Sequence, residues 1–198
     1  MEKSIIPEKK RYGIFLSGGL DSAVLFFIMA HTFKNSQFVL FTCTRDDDSE
    51  FNEIPAKKVA EFVKNRTKCC IVSHEILRFK NRIDARTNRY EKITPIIDLY
   101  KIEACCNGFT ANPNDPELLN DNTRDQSRDN GGELVKLYYN SILLYQPFAN
   151  KDKRYIITLI KKFNLEELLD ITVSCESKTP PRPCGKCWWC KERKWALK

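Results

Sequence analysis

The strongest constraint on the fold is a glycine-containing loop between two apolar segments near the N-terminus. Residues 12–16 (YGIFL) form a short apolar run that is typical of a buried strand. The run leads into Ser-Gly-Gly-Leu-Asp-Ser at residues 17–22, and residues 21–31 are apolar over a length that suits a helix. Glycines let backbone N–H groups come close to a ligand, and a helix N-terminus adds unpaired N–H donors and a positive dipole. This arrangement predicts a phosphate-binding site.

The polar residues of the loop favour a nucleotide as the ligand. Ser17 and Ser22 offer hydroxyl donors. Asp21 suits a phosphate site only if Mg²⁺ bridges the two, and it could equally cap the helix that follows. The loop lacks the Gly-Lys-Ser/Thr ending of a Walker loop and the Gly-x-Gly-x-x-Gly pattern of a dinucleotide fold. The sequence alone therefore predicts a less common nucleotide loop.

The loop resembles SGGxDS, the signature of the N-type ATP pyrophosphatase (PP-loop) superfamily. In that superfamily the loop holds the pyrophosphate of ATP while an oxygen nucleophile attacks the α-phosphorus. The resemblance assigns ATP binding to six residues: Ser17, Gly18, Gly19, Leu20, Asp21 and Ser22.

The first third of the chain alternates between strand and helix patterns. Residues 38–44 and 69–73 are β-branched or apolar and predict a second and a third buried strand. Residues 54–65 have apolar side chains at helical spacing, with Pro55 expected in the first turn. A strand–helix–strand–helix–strand order predicts an α/β domain with a parallel sheet and right-handed crossovers.

The rest of the chain is less regular. Residues 80–95 show no clear period, and residues 96–107 read as a helix that runs into a strand. Residues 110–132 are nearly free of apolar side chains, which predicts a loop that is either functional or disordered. A strand is expected over 141–147, a helix over 154–163 and a helical turn over 165–169.

Four of the nine cysteines are crowded near the C-terminus. Cys184, Cys187 and Cys190 form a CxxCxxC motif, and Cys175 precedes it. Four thiolates at this spacing predict a tetrahedral Zn²⁺ site that supplies folding free energy to a polar tail. An iron–sulfur cluster, disulfides and free thiols are the alternatives, and the ferredoxin pattern would need a further cysteine soon after the third.

Both ends of the chain resemble the 7-cyano-7-deazaguanine synthase family. The family's C-terminal pattern of Ser-Cys, Cys-Gly-x-Cys-x-x-Cys, Arg and Ala is matched by residues 174–175, 184–190, 193 and 196. Upstream, Pro147-Phe148 and Lys153 fit the family's Pro-Leu segment with its following lysine. The resemblance covers residues 12–30 and 142–197 and fades between 45 and 140, where the substrate pocket would be formed.

This resemblance implies a fold, a reaction and a set of cofactors. The expected fold is an adenine nucleotide alpha hydrolase-like, Rossmann-like domain over residues 1–173, with a zinc-binding tail over 174–198. The expected enzyme is a ligase that converts 7-carboxy-7-deazaguanine and ammonia into 7-cyano-7-deazaguanine with two ATP, Mg²⁺ and Zn²⁺. Asp21 and Lys153 are the expected catalytic residues, Cys175, Cys184, Cys187 and Cys190 the metal ligands, and a homodimer is plausible.

Composition and charge set broader expectations. The formal charge of +7 suits an anionic partner such as a nucleotide, or a solvated basic surface. No apolar run approaches the roughly 20 residues of a membrane span, and the charged N-terminus lacks the apolar centre of a signal peptide. We therefore predict a cytoplasmic protein with no membrane association, whose reaction does not require nucleic acid.

Several polar residues in the middle of the chain are weaker candidates. Residues 46–48, three consecutive aspartates, could bind Mg²⁺ or form a solvated turn, and His74 could face the pocket or the surface. Arg124 and Arg128 could clamp a carboxylate or phosphate, or belong to a solvated loop. The three tryptophans at 188, 189 and 195 are expected to anchor the tail on the main domain rather than to stack a base.

Two other functions fit the same motifs. The first is another PP-loop enzyme that forms only the amide or modifies a tRNA or protein. A sulfur-transferring member would need an iron–sulfur cluster or a catalytic cysteine pair. Cys105 and Cys106 are poor candidates for that pair, because adjacent residues of a strand point to opposite faces. The second alternative is a binding module whose tail contacts nucleic acid.

Overall fold

A computed structural model describes residues 5–46, 49–139, 141–176 and 183–198. For residues 49–51, 82, 86 and 139 it describes the backbone alone. The strands of the described residues are Arg11–Phe15 (β1), Gln37–Arg45 (β2), Cys70–Phe79 (β3), Ala104–Asn107 (β4), Val135–Tyr139 (β5) and Ile142–Tyr145 (β6). They form one sheet in the order β3-β2-β1-β4-β6-β5. Neighbouring strands are parallel except for the antiparallel pair of β5 and β6. The predicted parallel α/β fold is confirmed, with one antiparallel strand added at its edge.

Helices cover both faces of this sheet. Those in the described residues are Leu20–Thr32 (α1), Ser49–Thr67 (α2), Arg82–Thr87 (α3), Arg89–Tyr100 (α4), Pro116–Leu119 (α5), Lys153–Phe163 (α6), Leu168–Ile171 (α7) and Trp188–Ala196 (α8), with a 3₁₀ turn at Gln126–Arg128. None of them has the length and apolar character that crossing a membrane would require.

The sheet separates two apolar cores. One contains buried residues of α1, α2, α6, α7 and α8, and the other contains buried residues of α3 and α4. Adjacent strand residues point to opposite faces, so Cys106 lies in the first core and Cys105 in the second. The expectation that these two thiols do not form a pair on one face is confirmed.

Two helical segments differ from the sequence prediction. Helix α2 begins at Ser49, so Pro55 lies inside the helix and not in its first turn. The polar residues 80–95 form α3 and part of α4, and the buried apolar residues of these two helices are Ala85, Ile93 and Ile97. Few apolar positions leave a weak helical period over residues 80–95, which explains why the sequence pattern indicated only the end of α4, in the helix expected from residue 96.

The polar segment 110–132 is ordered by hydrogen bonds and contains little apolar packing. The side chain of Asn112 donates to the Asp125 carbonyl and to Asp129 Oδ1. The backbone N–H of Asn112 also donates to the Arg128 carbonyl at 2.9 Å. The segment is therefore a folded loop, held by polar groups that the periodicity of apolar residues does not register.

The strand order places a crevice at a defined point of the sheet. Strand β1 lies between β2, which follows it through α1, and β4, which comes much later in the chain. The strand order reverses between β1 and β4, and open α/β sheets bind ligands at such a point, outside the carboxyl ends of the strands. The glycine loop follows β1 directly and so lies at this crevice.

Candidate active site

The glycine loop is braced by its two serines. Ser17 Oγ and Ser22 Oγ lie 3.1 Å apart, and Ser22 Oγ also accepts the Ser17 N–H and donates to the Gly19 carbonyl. Gly18 has φ +78°, and a Cβ there would lie 2.8 Å from Pro55 Cγ. The loop therefore turns tightly against α2 at a residue that only glycine fits. Leu20 is buried and anchors the start of α1 in the core.

A second glycine brings β4 against the loop. A Cβ on Gly108 would lie 2.7 Å from both Asp21 C and Ser22 N. The segment after β4 thus touches the backbone of the first turn of α1 directly. This contact fixes one wall of the crevice, and no side chain can be accommodated at residue 108 without moving the helix N-terminus.

Asp21 and Lys153, the two predicted catalytic residues, are in contact. Lys153 Nζ lies 2.7 Å from Asp21 Oδ2, and the lysine side chain is only 4% exposed. Asp21 does not cap α1, because the N-cap is Gly19 and has no side-chain hydrogen bond. Its second oxygen, Oδ1, is buried without a partner among the described residues. A buried carboxylate oxygen in this position fits a divalent cation or a ligand proton.

Position 153 is fixed by the start of α6. Asp152 caps this helix, and its side chain accepts the N–H groups of Arg154 and Tyr155. Lys153 is therefore the first residue of α6, and α6 packs against α1 in the core. The long lysine side chain reaches from that point to the start of α1.

Glu192 is a site residue that the sequence analysis missed. It is fully buried and its carboxylate lies 2.5 Å from Arg128 and 3.5 Å from Lys153 Nζ. Four charges thus form a chain, in the order Asp21, Lys153, Glu192 and Arg128. Glu192 lies in a charged segment of the sequence, between the last predicted metal ligand, Cys190, and Arg193. No spacing of residues in this segment indicated that Glu192 would be buried.

Asp21 and Lys153 of this charged chain, together with the glycine loop, border one cavity of about 510 Å³. It is lined at one end by Ser17, Gly19, Asp21, Ser22 and Lys153. Its other walls come from the ends of β1, β2 and β4, from α3 and α4, from β5, and from residues 173–176. A cavity of this size suits a nucleotide together with a small substrate.

The four predicted metal ligands lie together. The sulfur atoms of Cys175, Cys184, Cys187 and Cys190 all lie within 4.8 Å of one another, and two of the pairs are separated by 4.0 Å. Thiolates around one tetrahedral Zn²⁺ lie about 3.8 Å apart, given a Zn–S bond of about 2.3 Å. An iron–sulfur cubane binds each thiolate to a different iron and so holds the sulfurs farther apart. The donor set and its spacing fit a single metal ion.

Backbone groups make one of these thiols acidic. The N–H groups of Cys187 and Lys186 lower the pKa of the Cys184 thiol to about 6. Gly185 takes φ +69° in the turn that directs these groups to the sulfur. Burial has the opposite effect on Cys190, whose pKa is raised to about 12. The turn therefore favours the thiolate form at Cys184, as a metal ligand requires.

The segment that leads to Cys175 is hydrogen-bonded both to the glycine loop and to α8. The Val173 N–H donates to the Gly18 carbonyl at 3.0 Å. The Arg193 guanidinium donates to the Leu169 and Thr172 carbonyls and to Ser174 Oγ. The segment that carries Cys175 is thus fixed between α8 and the loop, and Cys175 itself lines the cavity.

The tryptophans anchor the tail, as expected. Trp188 is 1% exposed, and Trp195 Nε1 donates to Asp115 Oδ2 at 2.9 Å while its ring lies 4.0 Å from the Arg154 guanidinium. Trp189 lies against Arg128 and lines the cavity. All three thus contact or are buried in the main body of the protein.

The weaker candidates have other partners or lie elsewhere. Arg124 pairs with Asp129, and Arg128 pairs with Glu192 and with Thr110. Arg124 is thus engaged within the folded loop, and Arg128 is engaged by the loop and by Glu192 of α8, which matches neither the ligand clamp nor the solvated loop expected from the sequence. His74 bonds Thr42 Oγ1 at 2.8 Å and is not among the described residues that line the cavity. Asp46 is exposed, and residues 47 and 48 lie outside the described residues.

Comparisons with known proteins support the fold. The sequence model of the asparagine synthase family matches residues 7–96, just under half of the chain. The U34-tRNA thiolase NcsA from Methanococcus maripaludis, solved with its [4Fe-4S] cluster, superposes with a TM-score of 0.52 at 12% identity, over 98% of this chain and 67% of the thiolase. The fold is a PP-loop fold.

Two further comparisons add nothing to that assignment. An alcohol dehydrogenase from Comamonas testosteroni, specific for bulky-bulky ketones, superposes with a TM-score of 0.35 at 10% identity, over 62% of this chain and 41% of the dehydrogenase. That score is too low to indicate a shared fold. No curated protein sequence matches the chain significantly.

Proposed function

We propose that this protein is an ATP-dependent enzyme that adenylates a carboxylate and joins it to ammonia. The proposed substrate is 7-carboxy-7-deazaguanine and the proposed product is 7-cyano-7-deazaguanine. The observation that carries the proposal is the buried contact of Lys153 with Asp21 at the start of α1, beside the glycine loop. The asparagine synthase match over residues 7–96 supports ATP use in this part of the chain. The motif resemblance at both ends of the chain supports the choice of acid.

The glycine loop would bind the phosphates of ATP. The first turn of α1 has N–H groups without partners in the helix, as every helix N-terminus does, and these suit phosphate oxygens. Lys153 would donate to the phosphate oxygens on which charge develops as pyrophosphate leaves. Asp21 Oδ1, buried without a partner among the described residues, is the oxygen that would bind Mg²⁺. The bound ion would neutralise part of the negative charge of the leaving pyrophosphate.

The proposed chemistry proceeds through two adenylations. A carboxylate oxygen of the acid attacks the α-phosphorus of ATP, and pyrophosphate leaves. Ammonia then attacks the acyl carbon, loses a proton, and displaces AMP to leave an amide. The amide oxygen attacks a second ATP, pyrophosphate leaves again, and loss of AMP and the remaining N–H protons gives the nitrile. Both carboxylate oxygens thus end in AMP. The protein's part is to hold the phosphates, align the reactants and exclude water.

The cysteine tail would bind Zn²⁺ through Cys175, Cys184, Cys187 and Cys190, and the bound ion would stabilise the polar tail. Cys190 lies in α8, two residues before Glu192, and Glu192 contacts Lys153. The tail would therefore act on the reaction by holding α8, and through it Lys153, in place.

A second candidate function is sulfur transfer to tRNA. It is favoured by one observation: Cys175, at the edge of the four-cysteine group, lines the same cavity as the glycine loop. A thiolase with a [4Fe-4S] cluster shares the fold. Against this candidate, the four sulfurs are spaced for a single ion, and Cys105 and Cys106 lie on opposite faces of the sheet.

The deciding experiment incubates the purified protein with the acid, ATP, Mg²⁺ and ammonium, and follows pyrophosphate release and product mass. The proposal expects the nitrile, with two pyrophosphates released per product, and zinc in the metal analysis. Turnover with tRNA and a sulfur source but not with the acid, together with bound iron and sulfide, would favour the thiolase-type reaction instead.

Other expectations from the sequence belong to this proposal. We propose a division into a catalytic domain over 1–173 and a zinc-binding tail over 174–198, a cytoplasmic location, a homodimer, and no requirement for nucleic acid. Size-exclusion chromatography with light scattering tests the dimer. If the enzyme keeps its full activity after nuclease treatment, the reaction does not require nucleic acid.

A further inference from the structure

The cavity continues beyond the glycine loop to the other side of the sheet. Phe15, Cys43 and Tyr138 line it and pack against the core of α3 and α4, whereas α1 belongs to the opposite core. Ala85 of α3 and Arg89 of α4 line the same region. We call these five residues the ring lobe. The phosphates would lie at the glycine loop, so the ring lobe is free for another part of the bound reactants.

Two buried polar atoms of the ring lobe lack partners. Arg89 Nε and the Tyr138 hydroxyl are both buried and make no hydrogen bond with any described residue. Among the described residues no carboxylate forms an ion pair with Arg89. Buried polar groups in folded proteins nearly always have hydrogen-bond partners. Two polar groups without a partner at a cavity wall therefore indicate that a ligand binds there.

The charge of Arg89 acts on two other residues of the ring lobe. Burial raises the pKa of Tyr138, and the Arg89 guanidinium opposes this rise. The same guanidinium opposes the rise that burial causes in the pKa of Cys43. Arg89 thus directs positive charge at the part of the lobe that contains both residues.

The lobe has aromatic walls. The rings of Phe15 and Tyr138 are 5.6 Å apart in an edge-on arrangement, and the Tyr90 ring lies 4.9 Å from Tyr138 on its outer side. Aromatic walls favour a planar ring. An unpaired guanidinium favours an anionic or carbonyl oxygen, as when arginine binds the oxygen of guanine. Adenine has no oxygen and no charge, so the lobe suits the acid better than it suits the base of ATP.

We propose that Arg89 and Tyr138 determine acid specificity, with both residues donating hydrogen bonds to an oxygen of the planar acid that is adenylated. This proposal rests on the proposed function. It assigns substrate recognition to the part of the chain where the family resemblance fades, and it predicts that the two residues have little effect on ATP binding.

The test compares steady-state kinetics of the unmodified 198-residue protein and three variants, with 7-carboxy-7-deazaguanine and ATP varied in turn. Tyr138→Phe removes only the hydroxyl and is expected to raise the KM for the acid about three- to tenfold. Arg89→Ala removes a charged donor and is expected to raise it about ten- to a hundredfold. Tyr90→Phe is the matched control, because Tyr90 contacts Tyr138 but is half-exposed and does not line the cavity. The KM for ATP should change less than twofold in all three.

Each outcome has a distinct meaning. A rise in the KM for the acid alone, in both variants and not in the control, supports the proposal. A rise in the KM for ATP assigns the ring lobe to adenine and overturns it, and so does an unchanged KM for the acid. If the wild-type protein fails to convert the acid, the proposed function fails and this proposal fails with it. Calorimetric titration of the acid into each variant checks that the KM changes reflect binding.

Discussion

Lys153 Nζ lies 2.7 Å from Asp21 Oδ2, although the two residues are 132 positions apart in the chain. Each stands in the first turn of a helix, and the two helices pack side by side in one core. The contact therefore joins the glycine loop to the C-terminal third of the protein.

Replacing Lys153 by Met should lower kcat by about a hundred- to a thousandfold, because a donor aimed at developing charge is lost. The measurement is pyrophosphate release at saturating ATP. Lys151→Met is the matched control, since Lys151 is exposed two residues earlier and does not line the cavity. Equal kcat values for the two variants would show that Lys153 does not take part in catalysis. Circular dichroism and zinc content establish that the Lys153→Met variant remains folded.

Glu192→Gln should destabilise the protein by about 3–5 kcal/mol, because it leaves Arg128 and Lys153 buried without their shared carboxylate. Urea unfolding measures the change. Glu166→Gln is the same substitution at an exposed position and should alter stability by less than about 0.5 kcal/mol. If the Glu192→Gln variant were as stable as the wild type, the buried charges would not depend on one another.

Gly108→Ala should weaken ATP binding at least tenfold. The new methyl group would lie 2.7 Å from the backbone of Asp21 and Ser22, so the first turn of α1 must move away from the phosphates. Calorimetric titration with ATP and Mg²⁺ measures the loss. Gly132→Ala is a milder comparison, because the nearest neighbour of its methyl group would be a Phe109 ring atom at 3.1 Å. Undiminished affinity in the Gly108→Ala variant would contradict the close contact.

Cys187→Ser should lower the zinc content and the stability together, because three thiolates bind the ion less tightly than four. Metal analysis and thermal unfolding measure the two quantities. Cys70→Ser changes an exposed thiol outside the group and should alter neither. A fully active, stable Cys187→Ser variant without metal would contradict a structural role for the ion.

Metal-free protein whose circular dichroism still matches that of the metal-bound form should react with iodoacetamide first at Cys184, with a rate that rises as pH increases through about 6. The neighbouring N–H groups lower the pKa of this thiol, so its thiolate form is lost only as pH falls below that value. Cys190 should react slowly at neutral pH, because burial raises its pKa to about 12. Peptide mass spectrometry of timed samples locates the modified cysteine. Faster labelling of Cys190 than of Cys184 at pH 7 would be inconsistent with this geometry.

The sequence was most informative where chemistry needs particular residues at fixed spacing. The SGGLDS loop after an apolar run predicted the β1–loop–α1 unit, and the four C-terminal cysteines predicted the group that the structure brings together. Glycine and cysteine have properties that few other residues share, so their positions identify a local structure. The lysine at 153 was found only through family resemblance, since a single lysine has no spacing of its own.

Polar segments were predicted less well, for a physical reason. The buried ion pair of Arg128 with Glu192 orders the loop over 110–132, yet a charged residue in a polar segment has the same sequence pattern whether it is buried or solvated. Helices α3 and α4 are mostly exposed and have little apolar period, and β5 follows a glycine pair without a strong strand pattern. The buried ion pair, these helices and β5 depend on contacts between residues far apart in the chain. A single sequence does not show which distant residues are in contact.

The most direct test of adenylation follows the oxygen atoms of the acid. If 7-carboxy-7-deazaguanine labelled with ¹⁸O in its carboxylate is incubated with the enzyme, ATP and ammonium, attack of the carboxylate oxygen at the α-phosphorus must transfer the label to AMP. We predict that each of the two AMP molecules formed per nitrile carries one ¹⁸O atom, measured by mass spectrometry, and that the pyrophosphate is unlabelled. Unlabelled AMP, or label recovered in inorganic phosphate beside ADP, would contradict this prediction.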